Sequence, residues 1–270
     1  MWQLTAKLFT RPSKVEGTAL FSVWNEMEDD KRDAVLRQVV DILLELSSHR
    51  FDKMGALFKG DGVGKNAWYL KPESLIMEPD ENSDNESLSG IMHSSGTDYW
   101  ISYCNDRIPE ALNNNFGRRN KPYEYFGLWF LRSLVPSLYD NSLDASAFPL
   151  LPGDLHSQNI LLTNLDSDPR IMAVIDWEFT ATAPTSSFAQ YPLFIVDNPE
   201  WDDDHPQRSR NPRDQAKFNA FMYEAESRLD RDHRLSNAFT NCHNLYLFLQ
   251  CIQFPVYASV LYPMLFANVY

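Results

Sequence analysis

The segment that most restricts what this chain can fold into is LLPGDLHSQNILL, from Leu150 to Leu162, followed by VIDWE, from Val174 to Glu178. Asn159 to Thr163 is a short apolar run, Asp166 to Pro169 is a polar turn, and Ile171 to Ile175 is a second apolar run. Two such runs across a turn predict a β-hairpin. A loop led by Gly153 and carrying Asp154 precedes the first strand, and Asp176 ends the second. A hairpin folds its outer strand ends together, so Asp154, Asn159 and Asp176 are expected to converge on one edge of the sheet. Two carboxylates and one amide oxygen make a hard-oxygen site suited to Mg²⁺ carrying bound phosphates.

The wording G-D-L-H-x-x-N-I-L, from Gly153 to Leu161, with I-D-W from Ile175 to Trp177, resembles the aminoglycoside phosphotransferase and choline kinase family. Trp177-Glu178-Phe179, Ala183-Pro184 and the stretch from Phe188 to Pro192 are similar to this family too, and a looser likeness runs from about Val15 to the C-terminus. The resemblance implies an α+β fold: the mostly helical C-terminal lobe of a protein-kinase-like fold, with a small β-hairpin carrying the catalytic loop. It implies that Asp154 is the catalytic base, that Asn159 and Asp176 ligate Mg²⁺, and that Asp176 holds the metal against the ATP phosphates. The implied activity is ATP-dependent phosphoryl transfer to a hydroxyl of a small molecule, a reaction carried mainly by positioning and charge neutralisation. Mg²⁺ and ATP are the implied cofactors, both dependent on an intact nucleotide site. His156 reads as a loop-packing residue outside the catalytic set.

Two departures from the family pattern stand out. The loop ordinarily opens H-x-D, and Pro152 takes the histidine's position. Too little chain precedes the matched part to build the family's N-terminal, nucleotide-covering lobe. Residues 1–28 are therefore expected to be a remnant of the interlobe linker, and 29–270 the C-terminal lobe. That arrangement predicts an exposed apolar surface near residues 1–28 and the hairpin, with a tendency to self-associate. The alternative function is a non-catalytic, pseudokinase-like binding module in which the same residues brace their own loop.

Elsewhere the periodicity is helical. Val35, Val39, Ile42, Leu43 and Leu46 predict a helix from a cap at Asp29 or Asp30 to Ser47 and Ser48. Further helices are expected from about Tyr123 to Leu138, ended or kinked by Pro136, and from about Asp214 to Leu229, burying Phe218, Phe221, Met222 and Ala225. Residues 71–97 read as a flexible acidic loop, and 201–213 as a second loop, with Asp202, Asp203 and Asp204 solvated. Lys59 to Asn66 is glycine-rich, but it lacks the first Gly and the Ser or Thr of a phosphate-binding loop. One small strand cluster is expected in an otherwise helical chain.

Charge and cysteine usage narrow the partners. With 24 basic against 37 acidic residues, the formal net charge of −13 repels a phosphate backbone, so no nucleic acid is expected. A cationic small molecule would suit that field, and plain solubility would suit it equally. Cys104, Cys242 and Cys251 are too few and too irregularly spaced for a disulfide framework or zinc site, and are read as buried thiols of a cytoplasmic protein. Leu245 to Tyr270 carries no charged residue, yet Gln250, Gln253, Asn268, Pro255 and Pro263 interrupt it. Two core helices, and no membrane span, are expected there.

Overall fold

The computed structural model describes residues 15–59, 68–71, 93–113, 121–139, 141–144, 147–177, 179–197, 201–253 and 258–269. The glycine-rich loop after Lys59, most of the acidic stretch at 71–97, the first 14 residues, Glu178 and Pro255 lie outside the described residues. In chain order the elements are β1 (Thr18–Ala19), α1 (Asp29–Ser48), β2 (Arg50–Phe51), β3 (Gly55–Lys59), β4 (Trp68–Lys71), α2 (Gly96–Asn113), α3 (Lys121–Leu138) and β5 (Phe148–Leu151). There follow β6 (Ile160–Thr163), β7 (Arg170–Val174), β8 (Ala181–Thr182), α4 (Thr185–Phe188), α5 (Pro206–Arg228), α6 (Arg234–Thr240), α7 (His243–Gln253) and α8 (Ala258–Val269). This is an α+β chain with two antiparallel sheets. It divides into two compact units whose segments alternate along the sequence.

The first unit gathers the chain up to His49, Leu150–Thr180 and Gln190–Thr240. Its three-stranded antiparallel sheet runs β1-β6-β7. Thr18 and Ala19 pair with Leu162 and Leu161, and Ile160 pairs with Val174, with a register shift between Leu161 and Leu162. The expected hairpin is therefore present, closed by a turn in which the Asn164 carbonyl accepts from the amides of Ser167 and Asp168. Ile160, Leu162 and Ile171 are buried, whereas Met172 and Ile175 are exposed, as is Phe21 just beyond β1. Such alternation is what a sheet covered on one face requires.

Helix α1 lies against β7 and α5. The five expected apolar positions are all buried, joined by Leu36, Val40 and Leu44. Its N-cap is Glu28, not Asp29 or Asp30, because Glu28 is the last extended residue, although its side chain makes no cap bond. Both aspartates sit in the first turn, where negative charge opposes the helix dipole favourably. Gln38 ties α1 to the hairpin: its Nε2 donates to the Pro169 carbonyl at 2.9 Å, and its Oε1 accepts from Ile171 N at 2.9 Å.

Helix α5 begins at Pro206, a turn or more before the expected Asp214, so much of the expected loop at 201–213 is helical. Proline at the first helical position forfeits no intrahelical bond, and the His205 side chain caps the Gln207 amide. Phe218, Phe221, Met222 and Ala225 are buried as expected. The helix also carries buried polar groups. Asp214 is ion-paired with the fully buried Arg32 of α1, whose guanidinium also donates to the Trp24 carbonyl at 2.7 Å and stacks 3.9 Å from the Trp24 ring. Burial pulls the Arg32 pKa down from its ordinary value, against the opposing pull of Asp214. Glu226, also buried, accepts from the amides of Leu235 and Ser236 at 2.9 and 3.0 Å and so satisfies the start of α6.

The second unit comprises Arg50–Pro149, Ala181–Ala189 and Asn241–Tyr270. Its five-stranded sheet, ordered β2-β5-β8-β3-β4, corrects the expectation of a single strand cluster, and α2 was not anticipated either. Trp100, Cys104, Leu131, Leu134, Phe148, Phe248, Cys251 and Leu265 form its buried core. Helix α3 ends at Leu138 as expected, with Pro136 in its last turn. All three cysteines are free and buried, and burial pushes the thiols of Cys104 and Cys251 up to about 12. The C-terminal segment forms α7 and α8, and no helix among the described residues is long and apolar enough to cross a membrane.

Candidate functional site

The site grows from the entry to β6. After β5 the chain makes a turn through Gly153 and Asp154, held by backbone bonds from His156 N to the Asp154 carbonyl (3.0 Å) and from Asn159 N to the His156 carbonyl (3.0 Å). Phe21 N donates to the Ser157 carbonyl at 3.0 Å and anchors the same loop to the segment after β1. Asn159 is buried at the loop's end, and its Nδ2 donates twice to Asp154: to Oδ2 at 2.9 Å and to the backbone carbonyl at 3.0 Å. With both amide hydrogens committed, Oδ1 is the acceptor left over, and it has no hydrogen-bond partner among the described residues.

The hairpin then carries Asp176 to this loop. Ile175 N donates to the Asn159 carbonyl at 2.9 Å, one step beyond the Ile160–Val174 pair, so Asp176 follows directly on the residue bonded to Asn159. Asp176 has φ 61°, a left-handed conformation that non-glycine residues adopt at a cost of roughly 1 kcal/mol. Its carboxylate is exposed and forms no hydrogen bond or ion pair among the described residues. β7 itself ends at Val174, two residues before the expected Asp176, where the backbone turns away, and the turn is closed by Thr180, whose amide and hydroxyl both donate to the Trp177 carbonyl.

A close approach locks the two halves together. A β-carbon on Gly153 would stand 2.1 Å from the Phe179 carbonyl oxygen and 2.7 Å from the Phe179 Cβ. Only glycine lets the Asp154 loop lie this close to the segment following Asp176. Asp154, Asn159 and Asp176 are thus carried by one continuous cradle of loop and hairpin ends, as the spacing predicts. Two residues outside the expected set belong to it. Gly153 sets the approach, and His156 places Nε2 3.3 Å from Asp154 Oδ1 while its Nδ1 accepts from Gln158 N at 3.1 Å. The signal for His156 was its position two residues after Asp154, which turns its ring back over the aspartate.

The donor set fits a hard cation: an unpartnered amide oxygen and an unpartnered carboxylate lie on adjoining backbone. No group of three or more His, Cys, Asp or Glu able to hold a metal occurs among the described residues, so a cation held by Asn159 and Asp176 would need its remaining ligands from phosphate and water. Compared with protein-family models and with curated proteins, the chain matches none.

Proposed function

We propose that this cradle is the phosphoryl-transfer site of a small-molecule kinase, with Asp154 as the base and Asn159 and Asp176 as the residues that hold Mg²⁺. The observation carrying the reading is the pair of bonds from Asn159 Nδ2 to Asp154. One fixes the Asp154 carboxylate and both leave the Asn159 Oδ1 as the amide's uncommitted acceptor, while the Ile175 amide, bonded to the Asn159 carbonyl, brings the backbone of Asp176 alongside. When bound, Mg²⁺–ATP supplies the phosphoryl group and neutralises its charge. The chain's own part is to orient and to take a proton. Asp154 keeps lone pairs free to accept the proton of a substrate hydroxyl, and its partial exposure leaves that face open to substrate. Asn159, anchored through both its backbone groups and its amide, keeps a fixed spacing between base and metal side. The resemblance of the loop wording to the aminoglycoside phosphotransferase and choline kinase family supports the same assignment, as does an acidic chain able to attract a cationic hydroxyl compound.

The test is transfer of label from γ-labelled ATP to a panel of amino alcohols, aminoglycosides and sugars, with the Asp154→Asn variant alongside. Mg²⁺-dependent transfer that falls by about two orders of magnitude or more in the variant is expected. Failure of the folded chain to transfer label to any hydroxyl overturns the reading in favour of a non-catalytic scaffold.

A further inference from the structure

His156 has a role that packing alone does not require. Its backbone is tied on both sides, the amide donating to the Asp154 carbonyl and the carbonyl accepting from Asn159 N, each at 3.0 Å. Gln158 N donates to Nδ1 at 3.1 Å, so Nδ1 must present its lone pair and the ring proton must reside on Nε2. Nε2 lies 3.3 Å from Asp154 Oδ1, close but not aligned as a hydrogen bond, while the other oxygen, Oδ2, accepts from Asn159. Each carboxylate oxygen thus has a side-chain nitrogen beside it, Oδ2 hydrogen-bonded to Asn159 and Oδ1 in close contact with His156. Contacts of this length at a base commonly shorten when substrate arrives.

We propose that His156 is a positioning residue for Asp154, held by the Gln158 amide as the neutral Nε2–H tautomer so that it orients the carboxylate without a formal charge. The choice of donor matters chemically. A neutral imidazole can limit the carboxylate's rotation without placing the formal charge beside it that a lysine or arginine would. Gln158 acts through its backbone and needs no particular side chain. The role in transfer rests on the proposed kinase reading; the tautomer does not.

Two measurements test it separately. Long-range proton–nitrogen correlation spectra of the full chain labelled in its histidine rings report the tautomer, the His156 signals being identified by their loss in His156→Gln. A protonated Nε2 with a bare Nδ1 is expected; a proton on Nδ1, or averaging between the two forms, overturns the clamp. In the transfer assay, His156→Phe is expected to lower kcat about 10- to 100-fold with the KM for ATP unchanged, and His156→Gln, which keeps an N–H donor, to recover part of the loss. Equal kcat in the wild type and the Phe variant overturns the positioning role. If the wild type transfers nothing, the kinase reading fails, and the nitrogen spectra still decide whether the clamp exists.

Discussion

Removing the Asp214 carboxylate should be among the most damaging single changes to the first unit. Its partner Arg32 is fully buried, with a cation–π contact to Trp24 and one hydrogen bond to the Trp24 carbonyl, and its Nε has no partner. In Asp214→Ala the guanidinium stays in the core without its counter-charge. Breaking such a pair from one side costs about 3–5 kcal/mol, a large share of a total stability of about 5–15 kcal/mol. At roughly 2–4 °C per kcal/mol for a chain of this size, the melting temperature should fall by about 6–20 °C. Replacing both partners by apolar groups of similar volume, Arg32→Met with Asp214→Leu, removes the stranded charge as well. The double variant should therefore be more stable than the sum of the two single losses predicts. Urea denaturation followed by circular dichroism, with calorimetry to check for separate transitions of the two units, measures the cycle. A loss below about 1 kcal/mol for Asp214→Ala, or strict additivity, would refute the reasoning.

Three further outcomes follow from the same contacts. Gly153→Ala must push its loop and the Phe179 segment apart by about 1 Å to relieve the 2.1 Å contact; a loss of about 1–3 kcal/mol, read by denaturation, should accompany loss of any Mg²⁺-dependent nucleotide binding. Glu226→Gln replaces one of two acceptors at the start of α6 by a donor facing the Ser236 amide, and should cost about 1.5–3 kcal/mol with faster amide exchange at Leu235 and Ser236. His93 has its pKa lowered from 6.5, chiefly by burial, against weaker opposing pulls from Asp98 and Asp106. The unfolded chain then binds more protons there, so this group's contribution to stability is complete above 6.5 and is lost as pH falls below it. In His93→Gln the acid side of the stability profile should be flatter, and an unchanged slope would remove His93 as a cause.

The readable parts of the fold were those written in local signals. Apolar runs flanking a polar turn marked β6 and β7, and apolar spacing marked α1 and the buried face of α5. The five-stranded sheet escaped because β2 and β8 are two residues each and their partners are distant in sequence. Gly55, whose Cβ would stand 2.3 Å from the Lys71 carbonyl, is a close-packing glycine that resembles a turn residue until its partner strand is known. Within the stretch 201–213, expected as a loop, Pro206 opens α5, since proline is compatible with a helix's first turn, and Pro212 lies inside it. In the site, the spacing of Asp154, Asn159 and Asp176 was legible because a hairpin fixes where its ends meet. The His156 clamp depends on the Gln158 amide, and a backbone donor leaves no mark on residue identity.

The most direct test of the central claim is a thermal-shift titration of the full chain with Mg²⁺–ATP, beside Asp176→Ala. Because the Asp176 carboxylate has no partner to lose among the described residues, the variant should fold while losing a metal ligand. Ligand at 100 times its Kd stabilises the native state by about 2.7 kcal/mol, a rise of about 5–11 °C here. The account predicts a rise that requires Mg²⁺ and vanishes in the variant. No rise at saturating Mg²⁺–ATP, or an equal rise in both proteins, contradicts it.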